Sequence, residues 1–224
     1  MKRLVVSFPK SGRTWLRYGL HLAGHPNVPF THDGFEYNDG AKPPLDFDPT
    51  RRIVDYKNHD RIIYIERDPR DTIVSLFHQI TGRFHDFFGY TGDISSFIRD
   101  PYFGVHNLIQ FQEMWRGLSA KLPVLIASYE DMSADYTAVF KRVTTHLDLP
   151  VSDSVLASIG NRTSFSAMKE VEQAQRFDRP WLQPRMGAPK VRRGKVGNYL
   201  DELSASDVTY IENTIVLIKS ETES

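Results

Sequence analysis

The fold follows from one stretch near the start of the chain, Leu4-Val5-Val6-Ser7-Phe8-Pro9-Lys10-Ser11-Gly12-Arg13-Thr14-Trp15. It opens with apolar residues that a proline interrupts, a pattern typical of a short buried strand. A turn-like segment comes next, and Trp15, Tyr18 and Leu22 then recur at helical spacing until Gly24, which is expected to end a helix. A strand, a turn and a helix within the first 24 residues are typical of the opening of an α/β nucleotide-binding unit.

Strands and helices alternate along the rest of the chain. Apolar runs at 62–65 and 124–127 predict two further buried strands, each followed by an apolar helical pattern. Three helices are expected here: one at 72–79, a second that follows an N-cap at Ser133, and a third at 207–219 that follows an N-cap at Ser206. The sequence therefore predicts an α/β fold in a single domain over residues 1–224, with a mainly parallel sheet flanked by helices.

Composition excludes several classes of protein. The 224 residues include 28 basic and 28 acidic side chains, so the formal net charge is zero, unlike that of a general nucleic-acid binder. The chain has no cysteine, which excludes a disulfide scaffold, a thiolate zinc site and a cysteine nucleophile. No apolar run reaches the roughly 18 residues of a membrane span, and no signal-peptide pattern is present. We expect a cytoplasmic protein with neither a nucleic-acid nor a membrane partner.

The turn between the first strand and the first helix has the residue types that bind phosphate. Such a site needs backbone N–H groups, a cation and preferably a helix N-terminus. Gly12, the ammonium of Lys10 and the hydroxyls of Ser11 and Thr14 provide a P-loop-like phosphate-binding turn. It differs from the usual nucleoside-triphosphate loop because its lysine precedes the glycine. An ordinary strand-to-helix turn could contain the same residue types.

Two further stretches could bind anionic groups. Arg67 ends a predicted strand and Ser75 lies one to two turns into the next helix, so a guanidinium and a hydroxyl could hold a second phosphate. Alternatively, Arg67 is a surface arginine paired with Asp68 or Asp71. The segment 179–195 has no acidic residue and six basic ones, which indicates a polyanionic ligand unless it is a solvated loop. These six are Arg179, Arg185, Lys190, Arg192, Arg193 and Lys195.

Together these stretches resemble the sulfotransferases that use 3′-phosphoadenosine 5′-phosphosulfate (PAPS). The run Pro9-Lys10-Ser11-Gly12-Arg13-Thr14-Trp15-Leu16 is similar to that family's 5′-phosphosulfate loop, with Arg13 where threonine or asparagine is commoner. Arg67 and Ser75 have its spacing for the 3′-phosphate pair, and Arg192-Arg193-Gly194-Lys195-Val196-Gly197-Asn198-Tyr199 is similar to its Arg-Lys-Gly-x-x-Gly-Asp-Trp segment. Tyr129-Glu130-Asp131-Met132 and Thr163-Ser164-Phe165-Ser166-Ala167-Met168-Lys169 also agree. The matches follow the family's order from residue 4 to about residue 200.

The resemblance implies a role for each matched residue. Lys10 would contact the 5′-phosphate and the bridging oxygen, and the 5′-phosphosulfate would be held by Ser11, Gly12, Arg13 and Thr14. The adenine would be surrounded by Trp15, Tyr129, Thr163 and Phe165, although Trp15 and Phe165 could simply be core residues. The 3′-phosphate would be bound by Arg67, Ser75, Arg192, Arg193 and Gly194. The implied reaction is in-line transfer of SO₃ from PAPS, with release of 3′,5′-adenosine bisphosphate (PAP) and without a metal.

The family often uses a histidine base that ends its second strand in a Lys-Thr-His segment. Thr31-His32 matches that segment, but Phe30 stands at the lysine position, so one cation of the pattern is missing. His32 is our choice of base, because an imidazole can accept a hydroxyl proton near neutral pH. The alternatives are His59, Asp33 and Glu36.

The sequence leaves the acceptor and the assembly open. Glycine, proline and aromatic residues concentrate in the stretches 33–51, 82–105 and 176–193, where we expect a pocket for a small-molecule or carbohydrate acceptor. The chain is expected to be a short, cytosolic-type, bacterial member with an open acceptor pocket. The family's dimerisation motif is absent from this chain. The positions of that motif are occupied by Leu200, Ser204, Ala205 and Thr209, so no dimer is assumed. Competing functions are a P-loop-type nucleotide kinase and a non-catalytic adenosine-bisphosphate-binding protein.

Overall fold

Four parallel strands form the centre of the computed structural model, which describes residues 1–37, 40, 45–177 and 179–222. The strands are β1 (Arg3–Ser7), β2 (Phe30–Thr31), β3 (Arg61–Glu66) and β4 (Val124–Ser128), in the spatial order β2-β1-β3-β4. Val5 lies opposite both Phe30 and Ile63, and Ile63 lies opposite Leu125. The predicted parallel α/β architecture is confirmed.

Helices cover both faces of this sheet. In the described part of the chain they are α1 (Arg13–Leu22), α2 (Pro49–Tyr56), α3 (Pro69–His78), α4 (His85–Phe88), α5 (Ile94–Ile98), α6 (Val105–Leu118), α7 (Tyr129–Ala134), α8 (Tyr136–His146), α9 (Asp153–Arg162), α10 (Phe165–Gln173) and α11 (Ala205–Thr222). A π-helical turn (Gln79–Arg83) continues α3, and two short 3₁₀ turns occupy Pro180–Leu182 and Asn198–Asp201. None of these helices combines the length and apolarity needed to cross a membrane.

Alternation along the strands divides the apolar residues into two cores. Val6 and Tyr64 point to one face, where they pack with the aromatic rings of α6, including Trp115. Val5 and Ile63 point to the opposite face, where they pack with α1, α7, α8 and α9. Because successive strand residues face opposite sides, helices on both faces bury the central residues of β1 and β3, whereas the edge strands β2 and β4 are only partly buried.

Two predicted helix caps are wrong by two residues each. Ser133 lies inside α7, and α8 is capped by Asp135, whose carboxylate accepts the N–H of Ala138 at 3.0 Å. Asp135 has an extended backbone (φ −148°, ψ 87°) that separates the two helices. The last helix begins at Ala205, before the expected Ser206, and the hydroxyl of Ser204 accepts the N–H of Asp207 at 3.2 Å.

The three expected loop stretches contain more helix than predicted. The stretch 82–105 includes α4 and α5, and α2 begins inside 33–51. Residues 38, 39, 41–44 and 178 of these stretches lie outside the described residues. The end of α1 is as predicted, since Leu22 is its last residue and Gly24 follows with φ +84°.

We predict that Asp135→Ala destabilises the protein by about 1 kcal/mol, because it removes the side chain that caps α8. Ser133→Ala is the matched control and should change stability by less than about 0.5 kcal/mol, because that exposed hydroxyl caps neither helix. Urea unfolding of the two variants measures both effects. A larger loss for Ser133→Ala than for Asp135→Ala would contradict this assignment of the cap.

Candidate active site

The four strands end at one edge of the sheet, and a predicted site residue follows each end. Lys10 lies three residues beyond β1, and His32, Arg67 and Tyr129 directly follow β2, β3 and β4. Since ligands of open parallel sheets bind outside the carboxyl ends of the strands, this edge is the expected site. A cavity of about 490 Å³ opens there.

The cavity brings together nearly all of the predicted site residues. Those that line it are Lys10, Gly12, Arg13, Thr14, Trp15, His32, Arg67, Ser75, Tyr129, Thr163, Phe165, Arg192, Arg193 and Gly194. Ser11 is the predicted site residue outside this lining, and its hydroxyl is buried without a hydrogen-bond partner in the described part of the chain. Residues far apart in the chain therefore meet at one place.

The turn after β1 exposes the N-terminus of α1 to the cavity. Lys10 (φ +74°) and Gly12 (φ +102°) both have left-handed backbone conformations. Gly12 is the N-cap and has no side chain to satisfy the first N–H groups of the helix, which are left for a ligand. A Cβ atom at Gly12 would lie 2.8 Å from Cδ2 of Tyr129, so the position requires glycine.

Arg67 is held beside this turn. Its guanidinium donates to the carbonyl of Lys10 at 3.2 Å and lies 4.1 Å from the ring centre of Tyr129. Asp71 is its ion-pair partner at 3.8 Å, as the alternative interpretation from sequence proposed. Arg67 is nevertheless buried at the cavity wall rather than exposed, and its Nε has no partner among the described residues.

Asp71 was not predicted as a site residue, yet it joins two parts of the site. Its two carboxylate oxygens accept the N–H groups of Gly197 and Tyr199 at 2.7 and 3.0 Å. The Arg192-Arg193-Gly194 segment is thereby fixed next to α3, which carries Ser75. The side chain of Arg193 extends to Asp201, the last residue of the following 3₁₀ turn, at 3.3 Å, and that of Arg192 extends to Glu202, the next residue, at 2.7 Å.

The predicted adenine-binding residues form an aromatic wall. Trp15 stacks on Tyr136 at 4.9 Å between ring centres and meets Tyr129 edge-on at 5.5 Å. The indole Nε1 of Trp15 is buried without a hydrogen-bond partner in the described part of the chain. Phe165 begins α10 and is 37% exposed, so it is not a core residue. Trp15 packs against the core and also lines the cavity.

His32 has a fixed tautomer. Its Nδ1 lies 2.7 Å from the carbonyl oxygen of Ser7, and a carbonyl accepts only, so Nδ1 carries the proton. Nε2 then has a free lone pair. Burial, reinforced by the Arg13 guanidinium, lowers the pKa of His32 well below 6.5. The imidazole is therefore neutral at pH 7, as a general base must be.

The alternative bases lie outside the cavity lining. His59 packs against Tyr56, with 5.6 Å between ring centres. The carboxylate of Asp33 is buried and accepts hydrogen bonds from Arg52, Tyr56 and Trp115 at 3.0, 2.6 and 3.1 Å. Glu36 accepts the backbone N–H of His32 at 2.7 Å and so supports the favoured residue. The geometry favours His32 over these three candidates.

Positive charge is concentrated in the cavity. Burial, followed by the charges of Arg83, Arg67 and Arg192, lowers the pKa of Lys10 to about 7. Burial and the charge of Lys10 also lower the pKa of Lys190 far below its usual range. Lys190 belongs to the basic segment 179–195, for which the sequence predicted an anionic ligand. No pattern in the sequence predicted a role for Arg83. Among the described residues, no group of three His, Asp or Glu side chains is placed to hold a metal ion.

Comparison with known proteins identifies the family. The family model described as "Sulfotransferase domain" matches residues 2–216, so the chain belongs to the sulfotransferase family. Luciferin sulfotransferase of Photinus pyralis is 28% identical over 165 residues, which cover 68% of this chain and 42% of that protein. Human sulfotransferase 2B1 is 30% identical over 193 residues, 74% of this chain and 51% of that protein. The chain thus spans about half the length of these curated relatives.

Solved structures show the same fold. A mouse sulfotransferase complexed with PAP superposes with a TM-score of 0.70 at 21% identity, over 97% of this chain and 83% of that one. Retinol dehydratase in a complex with retinol and PAP gives a TM-score of 0.64 at 17% identity, over 97% of this chain and 80% of that one. At these identities the likeness concerns the fold.

We predict that His32 makes the ligand-free protein less stable in acid. The unfolded chain protonates this residue below about pH 6.5, whereas the folded protein resists protonation, so stability falls as the pH drops below that value. Urea unfolding at pH 7.5, 6.5 and 5.5 should show a steeper fall for wild type than for His32→Gln, by up to about 1.4 kcal/mol per pH unit. Parallel pH profiles for the two proteins would contradict the buried neutral imidazole.

Proposed function

We propose that this chain transfers a sulfuryl group from PAPS to a hydroxyl or amine of a small-molecule or carbohydrate acceptor and releases PAP. One observation carries the proposal: two separate anion-binding regions face one cavity. The N-terminus of α1 with Lys10 forms the first, and Arg67, Ser75 and the segment 192–194 form the second. A nucleotide with phosphates on both its 5′ and 3′ positions needs such a pair, and the family membership supports the same donor.

The residues present fit this donor. Ser11 Oγ, Trp15 Nε1 and Arg67 Nε are buried polar atoms without partners among the described residues. Trp15 and Arg67 line the cavity, and Ser11 belongs to the turn beside it. Buried polar atoms are nearly always hydrogen-bonded, so these unpartnered atoms favour a polar ligand. PAPS supplies the sulfuryl group when it is bound. We propose that it is held by Lys10, Ser11, Gly12, Arg13, Thr14, Trp15, Arg67, Ser75, Tyr129, Thr163, Phe165, Arg192, Arg193 and Gly194.

The chain's own residues would contribute positioning, charge and proton transfer. Lys10 would supply an ammonium that stabilises negative charge on the departing phosphate, and the first-turn N–H groups of α1 would add their dipoles. The carbonyl of Ser7 holds the proton on Nδ1 of His32, so Nε2 is the atom that accepts the proton of the acceptor hydroxyl. Since Nδ1 already carries a proton, the product of this step is an imidazolium.

The names of relatives support the remaining parts of the proposal. Luciferin sulfotransferase and the amine sulfotransferase of Oryctolagus cuniculus are named for small acceptors. Two Arabidopsis thaliana relatives are named cytosolic sulfotransferases, which favours a cytosolic location. The kinase alternative is not favoured, because the chain belongs to the sulfotransferase family. A non-catalytic adenosine-bisphosphate-binding protein is distinguished by the next experiment.

The proposal is tested by thermal shift followed by transfer. PAP at 100 times its Kd should stabilise the native protein by about 2.7 kcal/mol, and 5′-AMP or ATP at the same concentration should do much less. His32→Gln should keep PAP affinity and lose about 100- to 10,000-fold in sulfuryl transfer from PAPS. His59→Gln, outside the cavity lining, is the matched control and should transfer normally. Stabilisation by ATP alone would support a kinase, and PAP binding without any transfer would support the non-catalytic alternative.

We predict that Gly194→Ala weakens PAP binding about tenfold or more. The added Cβ would lie 2.2 Å from Cδ2 of Phe165, so the ring must leave the wall proposed for adenine. Gly187→Ala is a close control, because Gly187 (φ +74°) has a left-handed backbone like Gly194 (φ +63°). Apart from its two chain neighbours, no described residue has an atom within 4 Å of the Cβ position at Gly187. Both variants should lose similar stability from backbone strain. Equal PAP affinities by calorimetry would contradict the role of the contact.

We predict that PAP affinity falls as the pH rises above 7. Lys10 has a pKa of about 7 in the free protein, and a bound anion favours its charged form, so binding above pH 7 must take up a proton. The phosphates of PAP are almost fully ionised in this range and contribute little to the slope. Affinity should drop by up to about tenfold per pH unit between pH 7.5 and 9, and Lys10→Gln should bind weakly with a flatter profile. A flat wild-type profile would contradict this coupling.

A further inference from the structure

The cavity is lined by more basic side chains than the proposed donor uses. Lys10 and the N-terminus of α1 serve its 5′ side, and Arg67, Arg192 and Arg193 its 3′ side. Four more basic residues line the same cavity: Arg13, Arg83, Arg185 and Lys190. Arg185 is paired with Asp86 at 2.6 Å, and Arg13 is assigned to the donor through its backbone N–H alone, which leaves the side chains of Arg13, Arg83 and Lys190. Among the described residues, none of these three has a carboxylate oxygen within 4.0 Å of its charged nitrogens. We call these three residues the surplus cations.

Lys190 is presented to the cavity by its backbone. The carboxylate of Glu172 accepts the N–H groups of both Lys190 and Val191, the latter at 2.8 Å. Glu172 is only 3% exposed, so it binds this segment from the protein interior and not from the cavity. The ammonium of Lys190 has no hydrogen-bond partner in the described part of the chain, although the residue lines the cavity.

Arg83 is buried and only partly satisfied. It ends the π-helical turn, is 5% exposed, and donates through one terminal nitrogen to the carbonyl of Gln183 at 2.7 Å. Its Nε is buried without a partner among the described residues. A buried guanidinium with an unused donor at a cavity wall is a ready binding group for an anion.

The surplus cations line the same cavity as Lys10, the proposed phosphate anchor, and His32, the proposed base. After burial, the charge of Arg83 has the largest effect in lowering the pKa of Lys10, and the charges of Arg13 and Lys190 both lower the pKa of His32. An acceptor that reaches His32 must enter this shared cavity. Like charges that crowd together in a buried site repel one another, and an anion between them removes that repulsion.

We propose that the acceptor carries an anionic group, a carboxylate, sulfate or phosphate, and that Arg83 and Lys190, assisted by Arg13, bind it. This inference rests on the proposed sulfuryl transfer and narrows its acceptor. The anion would orient the acceptor so that its hydroxyl or amine faces His32. Arg83 and Lys190 would then act in specificity, with no direct part in the chemistry.

The test uses pairs of acceptors that differ in charge alone. The probes are 4-hydroxybenzoate with its methyl ester, and N-acetyltyrosine with its amide. Binding to the protein saturated with PAP is measured by calorimetry, and transfer from PAPS gives kcat/KM for each member. We expect the anionic member to be favoured at least tenfold in both readouts. Arg83→Gln and Lys190→Gln should each reduce that preference by about 10- to 100-fold, the range of a hydrogen bond to a charged group.

Controls separate this inference from the proposed function. Lys195→Gln removes an exposed lysine of the same basic run, outside the cavity lining, and should leave the preference unchanged. Arg83→Lys keeps the charge if Arg83→Gln fails to fold, and the wild-type preference can be read without any variant. PAP binding with equal or better use of the neutral members overturns the anionic acceptor alone. Variants that slow both members equally would assign the surplus cations to the donor and also overturn it. Absence of PAP binding overturns the proposed function and, with it, this inference.

Discussion

The hydrogen bond from Arg67 to the carbonyl of Lys10 is the contact on which the rest of the site depends. It exists because β1 and β3 are adjacent and parallel, with Ser7 opposite Ile65, so the chain leaves both strands at the same edge. The carbonyl can accept this bond because Lys10 has a left-handed backbone, which turns the peptide toward β3. A shift of register by one residue would move Arg67 to the other face of the sheet and separate the two anion-binding regions.

The same arrangement brings basic side chains close together, and their positive charges repel one another when no ligand is bound. Bringing Lys10 into a buried site near Arg67 and Arg83 disfavours its charged form by several kcal/mol, since each unit of pKa corresponds to about 1.4 kcal/mol. Tyr129 moderates the repulsion by lying against the Arg67 guanidinium at 4.1 Å, and the Asp71 carboxylate lies at 3.8 Å. The remaining imbalance means that an anionic ligand gains more here than at a neutral surface.

Local patterns in the sequence were enough for β1, β3 and β4, because each is a short apolar run, and for the turn after β1, where a proline and a glycine end the strand and precede the helix. The two-residue strand β2 gave no such pattern. Local patterns were insufficient wherever a side chain is hydrogen-bonded to a residue far away in the sequence. Asp33 remained a possible base until the structure showed it bonded to Arg52 and Trp115, 19 and 82 residues away. No sequence pattern predicted that Arg83 lies at the cavity, because it is held there by a hydrogen bond to the carbonyl of Gln183, 100 residues later. Such pairings follow from tertiary packing, which no local pattern encodes.

One short segment connects the donor and acceptor sides of the cavity. Lys190 is a surplus cation, and Arg192 to Gly194 lie two to four residues further along the same strip of chain. Glu172 anchors the strip at Lys190 and Val191, and Asp71 anchors it at Gly197 and Tyr199. Under the proposed function, a 3′-phosphate bound between these anchors would restrict the strip that presents Lys190. Binding of the donor would then reduce the entropy that the acceptor site must still lose, so each of the two ligands would favour binding of the other.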